Sequence, residues 1–258
     1  MSEAVLDAAI AGLLPRLARP RRVKLFGGEP LLRPDLAARA LESIRRLAPG
    51  TPVELNTHGG GLAEVRELLA RHPEVELFVS RPIHEAGRIP RAVYNFLLTP
   101  DESLARTVER FLAARAAGFA RFNFLPAYFT VWTPAALAGL RARFEAIRRL
   151  LAVLDARGLP AETVNLERFA STPLYNDGLV IDVDGEIYSS SLVLTAAVAP
   201  RRELLRLGSV SFPELLAPEP AATAASLLAE AFPPEVTAST LAVDAELTAF
   251  CRGLGAAA

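Results

Sequence analysis

Strand-forming and helix-forming stretches alternate along most of this chain, and no other feature constrains its fold as strongly. Five short stretches have strand character, at positions 23–26, 52–56, 75–80, 92–98 and 121–125. Amphipathic stretches with helical spacing lie before, between or after them, at positions 5–17, 35–47, 62–71, 101–117 and 133–157. Strands that alternate with helices in this way indicate βαβ units, which build a parallel sheet covered by helices.

The first strand runs directly into a turn, Gly27-Gly28-Glu29-Pro30. Two adjacent glycines tolerate positive φ angles, and they leave backbone N–H groups open to a ligand because no Cβ shields them. Glu29 places an acceptor at the mouth of the turn, where it suits an ammonium or hydroxyl group of a small molecule. The alternative, which the spacing alone favours, is an ordinary βα turn with a solvated glutamate.

Polar residues also follow the next two strands. They are Asn56-Thr57-His58 after the second strand and Ser80 after the third. Ligands of α/β sheets bind beyond the carboxyl ends of the strands, so these residues and the glycine turn are the candidate site. No catalytic residue can be identified among them.

The three histidines of the chain, His58, His72 and His84, form no recognisable ligand motif. A metal or acid–base site of His58, His84 and Glu29 is an alternative, but no short spacing such as HxH or HExxH supports it, and we predict no metal. His72 adjoins Pro73 at a helix end, and it is expected at the surface.

Aromatic residues are dense around the fifth strand. Alternation along a strand places some of them in the core, which is the default interpretation. Residues 128–132, YFTVW, follow the end of that strand, and lining a pocket or binding a peptide is the alternative for them.

The composition excludes several partners. With 51% apolar residues the chain is globular, and 28 Lys and Arg against 29 Asp and Glu give no overall attraction to nucleic acid or membrane. One cysteine fits a reducing compartment, and the apolar runs are shorter than the roughly 20 residues of a spanning helix. The N-terminal stretch begins acidic and becomes basic, the reverse of a secretory signal. We therefore predict a cytoplasmic protein.

The pattern changes after residue 160. Two alternating runs flank Asp184-Gly185 within residues 179–188, which is a strong hairpin signal. The acidic stretch 182–186 has no further ligand at calcium-loop spacing, so a turn is favoured over a metal site. We expect two regions, 1–160 with the α/β sheet and 161–258 with the hairpin and C-terminal helices.

The stretch FGGEPLLRPDL, residues 26–36, closely resembles the GGEP motif of the radical S-adenosylmethionine (SAM) enzymes. Three later stretches follow the order of that family: ELNTHGGGL (54–62) resembles its TNG-type segment, VELFVS (75–80) its fourth strand, and FNFLPAY (122–128) its sixth. The hairpin and the stretch LLRLGSVSFPELL (204–216) resemble the SPASM or twitch extension of many radical SAM maturases.

The resemblance implies an incomplete (β/α) barrel that lacks the first strand of the family, followed by a small SPASM-like or twitch-like hairpin region. It also implies a SAM site in which the GGEP turn contacts the methionyl amino group. The residues that match this site are Gly27, Gly28, Glu29, Pro30, Asn56, Thr57 and Ser80.

The chain departs from the family in its cysteines. The family holds a four-iron four-sulfur cluster on a CxxxCxxC loop, which needs about three or four thiolates, and this chain has only Cys251. Where the family places cysteines for auxiliary clusters, this chain has Ser189-Ser190-Ser191, and a hydroxyl does not replace a soft thiolate. We expect no iron–sulfur cluster and no radical catalysis; whether the chain is an enzyme stays open.

Three hypotheses follow. The first is a non-catalytic relative of radical SAM maturases that binds a peptide or protein partner in a modification pathway. The second is a SAM-binding protein or enzyme without radical chemistry. The third is one half of a split radical SAM enzyme. The open edge of the first strand must be covered, and the N-terminal helix, a second copy of the chain or a separate protein could cover it.

Overall fold

Six parallel strands form one sheet, and they lie in it in the order of the sequence. They are β1 (Val23–Leu25), β2 (Val53–Thr57), β3 (Val75–Val79), β4 (Val93–Leu98), β5 (Arg121–Pro126) and β6 (Glu162–Thr163). The structure, a computed structural model, describes residues 1–17, 22–81, 83–159, 161–167 and 178–255. The first five strands match the predicted stretches to within one residue at either end. The sequence pattern does not predict β6, because two residues leave no alternation to detect.

The helices are α1 (Glu3–Asp7), α2 (Pro34–Leu47), α3 (Leu62–Arg71), α4 (His84–Gly87), α5 (Leu104–Ala116), α6 (Pro134–Ala156), α7 (Val164–Glu167), α8 (Ala224–Ala231) and α9 (Pro234–Gly255). α1 continues as a π-helical stretch, Ala8–Leu13, and a 3-10 turn, Leu14–Arg16, so residues 3–16 are helical as predicted. Over the residues that the structure describes, no helix has both the length and the apolar character needed to cross a membrane.

The chain divides into two compact units, and neither is continuous in sequence. The first consists of Met1–Leu55, Ala63–Val75 and Thr172–Phe232, and the second of Asn56–Leu62, Glu76–Ser171 and Pro233–Ala258. The division at residue 160 stays a prediction.

In the first unit, the N-terminal helical stretch packs on a small antiparallel sheet of β7 (Val180–Ile181), β8 (Glu186–Tyr188) and β9 (Arg206–Ser209), in that order. β7 and β8 form the predicted hairpin, whose turn holds Gly185 at φ +87°. Ala9 and Leu13 are buried against Ile187 of β8 and Val210. Burial of these apolar side chains joins the beginning of the chain to the hairpin.

In the second unit, β4 and β5 pair along six residues each, and alternation separates their side chains by face. One face carries the fully buried rings Tyr94, Phe96, Phe122 and Phe124, which contact one another and the rings of Phe111 and Phe119. These aromatic side chains form the core, as the default interpretation predicts. The opposite face carries the half-buried pair Asn95 and Asn123.

The edge of the sheet beyond β5 is closed by a side chain. β6 pairs with Arg121 and Phe122 of β5 and then ends. Beyond it, the buried side-chain amide of Asn165 bonds the backbone of β5, as another residue of a strand would. Its Oδ1 accepts from the N–H of Phe124 at 2.7 Å, and its Nδ2 donates to the carbonyl of Phe124 at 2.9 Å. The buried polar groups of Phe124 are thereby satisfied.

Candidate functional site

The glycine turn after β1 has the backbone conformation that the sequence predicts. Gly27 and Gly28 are exposed, with φ angles of +98° and +48° that non-glycine residues seldom adopt. A Cβ added at either position would meet no atom of a described residue within 4 Å. As far as the described residues show, space is open above this backbone for a ligand to approach.

Glu29 is half-buried and has a structural role within the turn. Its Oε1 accepts a hydrogen bond from the N–H of Leu31 at 3.0 Å and so caps a 3-10 turn, Pro30–Leu32. The side chains on either side of the turn differ in burial: Leu31 is buried, whereas Phe26 and Leu32 are 50% and 76% exposed. The turn thus combines a capping carboxylate with two exposed apolar side chains.

Thr57 and Ser80 lie at the carboxyl ends of β2 and β3, where the structure brings them together. The carbonyl of Thr57 accepts from the N–H of Ser80 at 3.0 Å. The Thr57 hydroxyl is buried and accepts from the N–H of Gly59 at 2.9 Å, which orders the glycine-rich stretch that follows. Asn56 is half-buried and Ser80 is exposed. Gly27 to Pro30 belong to the first unit, and Asn56, Thr57 and Ser80 to the second.

Asn95 and Asn123 are polar residues of the sheet that the sequence pattern did not identify as site residues. Asn123 Nδ2 donates to Asn95 Oδ1 at 2.8 Å, between paired positions of β4 and β5. The signal in the sequence is one asparagine at a strand-alternating position within each of two apolar stretches, AVYNFLL and RFNFL. Such a pair offers amide donors and acceptors on the less buried face of the sheet.

The histidines occupy separate positions. His58 and His84 are exposed, and the His58 Nδ1 accepts from the N–H of Gly60 at 3.1 Å. Within the described ranges, no three His, Cys, Asp or Glu side chains are arranged to hold a metal ion. The expectation for His72 is wrong: it is 3% exposed, and its Nδ1 lies 3.2 Å from Oε1 of Glu74. The carboxylate provides the polar partner that lets the imidazole lie buried at the helix end.

The aromatic stretch after β5 is held by α9. Trp132 is 4% exposed, its Nε1 donates to the carbonyl of Ala127 at 2.8 Å, and its backbone N–H donates to Ser239 Oγ at 2.9 Å. Phe129 is held at φ +60° by a hydrogen bond from its N–H to Thr240 Oγ1 at 3.1 Å. Trp132 is therefore a core residue, and the hydroxyls of α9 fix the conformation of this loop.

Tyr128, in the same loop, is close to two titratable groups of α9. Burial raises the pKa of Tyr128, and the charges of Asp244 and Cys251 raise it further. Burial likewise raises the pKa of Asp244, against a hydrogen bond with Tyr128 that lowers it. Burial raises the pKa of the Cys251 thiol to about 11. At neutral pH both the phenol and the thiol are therefore in their protonated, neutral forms.

The residues of this chain suit the binding of SAM, but they do not suit the binding of an iron–sulfur cluster. The open glycine backbone and the carboxylate of Glu29 fit an amino-acid ammonium and its neighbouring polar groups. This chain cannot supply the three or four thiolates that a cluster needs. Its one cysteine, Cys251, lies in α9, is 6% exposed and is protonated at neutral pH. At the serines that follow the hairpin, the buried Ser190 hydroxyl accepts from the N–H of Leu192 at 3.3 Å and caps a 3-10 turn.

No protein-family model and no curated protein matches the sequence. Solved structures match over most of the chain, and several are of anSMEcpe, an anaerobic sulfatase-maturating enzyme of the radical SAM/SPASM type. The hexahistidine-tagged enzyme with bound AdoMet has a TM-score of 0.59 at 11% identity, covering 93% of this chain and 70% of that one. The native enzyme with AdoMet and the Kp18Cys peptide has a TM-score of 0.55 at 13% identity, covering 81% and 69%. With AdoMet and the Cp18Cys peptide the TM-score is 0.59 at 12% identity, covering 93% and 74%.

Identities this low are evidence about the fold, and the fold agrees with the predicted class. The strand order, the helices between the strands and the antiparallel sheet near the C-terminus all belong to an α/β chain of this type. The predicted α/β fold class is confirmed. The chain has the fold of the radical SAM enzymes, built as a partial (β/α) barrel in which β1 is the first described strand.

Proposed function

We propose that this chain is a cluster-free relative of the radical SAM maturases that binds a peptide or protein partner and carries out no radical chemistry. The observation that carries the proposal is the lack of thiolate ligands in a chain with this fold. Cys251 is the only cysteine, and a buried, protonated thiol is a poor metal ligand, since the thiolate is the ligand form. Its reduced state fits the predicted cytoplasmic location.

The hairpin region supports the same proposal. Ser190 lies where the family resemblance places an auxiliary-cluster cysteine, and its side chain has a structural role. It is 2% exposed and caps the turn Ser191–Leu194. A hydroxyl in this environment stabilises the local backbone and leaves no soft ligand for iron.

Strand β1 is the part of the sheet best suited to a peptide partner. It is the end strand in the sheet order, and Val23 donates its N–H to the carbonyl of Pro52 on the β2 side. Because successive residues of a strand direct their polar groups to opposite sides, the N–H and carbonyl of Lys24 point away from β2, to the side on which no further strand lies among the described residues. An extended peptide can add to such an edge through main-chain hydrogen bonds. The anSMEcpe structures with peptides support a peptide as the partner.

A display library of linear peptides, selected against the immobilised full chain, tests the proposal. We expect an enriched sequence whose synthetic peptide binds in solution and whose binding is lost in Lys24→Pro, since proline removes the outward N–H but is tolerated at a sheet edge. Lys24→Ala is the matched control, because it removes the side chain and keeps the N–H. Equal affinity of Lys24→Pro and Lys24→Ala would exclude β1 as the docking edge.

The size and composition of the purified protein in solution would reveal two other possible partners of β1. A dimer that dissociates in Lys24→Pro would place a second copy on the edge. Co-purification with a protein that carries a CxxxCxxC loop would instead make this chain one half of a split radical SAM enzyme. We expect a monomer that purifies alone and binds the selected peptide.

The second candidate function is SAM binding without radical chemistry, and the geometry of Gly27 and Gly28 favours it. Both glycines are exposed and have free space above the backbone, beside the carboxylate of Glu29. The family resemblance assigns to this site Gly27, Gly28, Glu29, Pro30, Asn56, Thr57 and Ser80. Isothermal titration of the protein with SAM tests this candidate. Saturable binding with one site per chain would support this candidate. A titration that shows no heat of binding would contradict it.

A further inference from the structure

A cleft in the first unit has no part in the candidate site. It measures about 400 Å³ and is lined by Glu42, Arg45, Arg46, Arg71 and His72. Arg45 and Arg46 are in the last turn of α2, and Arg71 ends α3. All five lining residues carry charged or titratable groups.

The three guanidinium groups outnumber the single carboxylate of the cleft. Elsewhere in the chain arginines are commonly paired with acids, as Arg39 is with Asp7 and Arg33 with Asp35. Arg45, Arg46 and Arg71 have no ion pair with any residue that the structure describes. Glu74 adjoins the cleft, because its carboxylate contacts His72 and lies near enough to Arg45 for their charges to interact. With three guanidinium groups against the carboxylates of Glu42 and Glu74, the positive charges exceed the negative ones by one.

Helix ends alone do not account for this arrangement. Basic residues in a last helical turn interact favourably with the helix dipole, which explains a single arginine at each end. It does not require arginines of two helices to converge on one cleft of this volume. Arginine forks match the oxygen atoms of phosphate groups, and several converging forks are the usual means of binding a multiply charged oxyanion.

We infer that the cleft of Arg45, Arg46, Arg71 and His72 binds a small phosphate-bearing anion. The arginine forks contact the phosphate oxygens, and the buried His72, braced by Glu74 at 3.2 Å, forms the adjoining wall. Glu42 restricts the site, because its charge repels an anion placed on its side of the cleft. The inference is independent of the peptide and SAM proposals, which use other residues.

Isothermal titration of the full chain with sodium pyrophosphate, at an ionic strength held constant with sodium chloride, tests the inference. We expect one site per chain and about tenfold weaker binding in Arg45→Gln and in Arg71→Gln, since each removes charge-assisted hydrogen bonds. Arg157→Gln is the matched control, because Arg157 is exposed, has no ion pair with a described residue and lies outside the cleft.

Three outcomes would overturn the inference. The first is an absence of pyrophosphate binding by a folded wild-type chain. The second is an equal loss of affinity in Arg157→Gln, which would show attraction to overall charge. The third is binding of an oligoglutamate peptide, lost in Arg71→Gln, by a chain that does not bind pyrophosphate; an acidic protein partner would then be the ligand. Thermal unfolding of each variant checks that the exposed arginine changes leave the fold intact.

Discussion

The carboxylate of Glu29 caps the backbone of Leu31, its Oε1 lying 3.0 Å from the Leu31 nitrogen. The residue that the family resemblance assigns to the SAM amino group therefore already shapes its own turn. The two roles predict different results for different substitutions. Glu29→Ala removes both the cap and the charge, whereas Glu29→Gln keeps an acceptor for Leu31 and removes only the charge.

For Glu29→Ala we expect a loss of about 1 kcal/mol in the free energy of unfolding, which is typical of a lost cap. Glu29→Gln should lose less stability in urea, because it keeps an acceptor for the Leu31 N–H. If the turn binds SAM, Glu29→Gln weakens SAM binding about tenfold, because it loses a hydrogen bond to a charged group. If Glu29→Gln leaves SAM binding unchanged, the Glu29 carboxylate does not bind SAM.

Asn165 is predicted to be one of the most sensitive polar residues of the second unit. Asn165→Leu leaves the buried N–H and carbonyl of Phe124 without partners, so we expect a loss of about 2 to 4 kcal/mol in urea unfolding. Asn123→Leu is the comparison, because the side-chain partner of Asn123 among the described residues is another half-buried side chain, Asn95. This substitution should cost less than about 1 kcal/mol. Equal effects of the two substitutions would contradict the assignment of Asn165 as the closure of the sheet edge.

Two helical glycines should respond in opposite directions to alanine. A Cβ at Gly87 would lie 2.2 Å from the carbonyl oxygen of Ala117, a backbone atom that cannot turn away, so Gly87→Ala should destabilise by about 2 kcal/mol. A Cβ at Gly139 would meet nothing within 4 Å, and Gly139→Ala should stabilise α6 by about 0.5 to 1 kcal/mol. Urea unfolding of both variants measures the difference, and a loss of stability in Gly139→Ala would count against the packing of α6.

Cys251 should react slowly with an alkylating reagent in the folded protein. The thiolate is the reactive form, and burial raises the thiol pKa from 9.0 to about 11. The raised pKa contributes stability that is complete below pH 9 and is lost as the pH rises towards 11, because the unfolded thiol ionises first. Iodoacetamide labelling at pH 8, with urea-unfolded protein as the reference, measures the protection. Equal rates in both states would contradict the burial of Cys251.

Local signals in the sequence predict much of the fold. Thr133 followed by Pro134 predicts the start of α6, and the Thr133 hydroxyl does accept from the N–H of Ala136 at 3.2 Å. Asp184-Gly185 predicts the turn of the β7–β8 hairpin in the same way. Both signals lie within a few residues of the structure that they specify, so they can be detected without knowledge of the tertiary fold.

Local sequence patterns could not predict the features that depend on residues far away in the sequence. Asn165 bonds a backbone 41 residues away, so nothing adjacent to it predicts its role. His72 is buried although its neighbours in sequence are typical of a surface turn. Ser239 and Thr240 of α9 orient the loop after β5 across more than a hundred residues. The glycine turn and the polar strand ends could be predicted individually, whereas their use in one SAM site remains a prediction.

The central claim, that this chain holds no iron–sulfur cluster, is tested most directly by iron analysis after anaerobic reconstitution with iron and sulfide. The matched control is Cys251→Ala, which removes the one thiol and identifies adventitious iron. We predict the same low iron content for both proteins and no visible absorption from a cluster. About four iron atoms per wild-type chain, lost in Cys251→Ala, would contradict the account, because a four-iron cluster would then be bound by this chain.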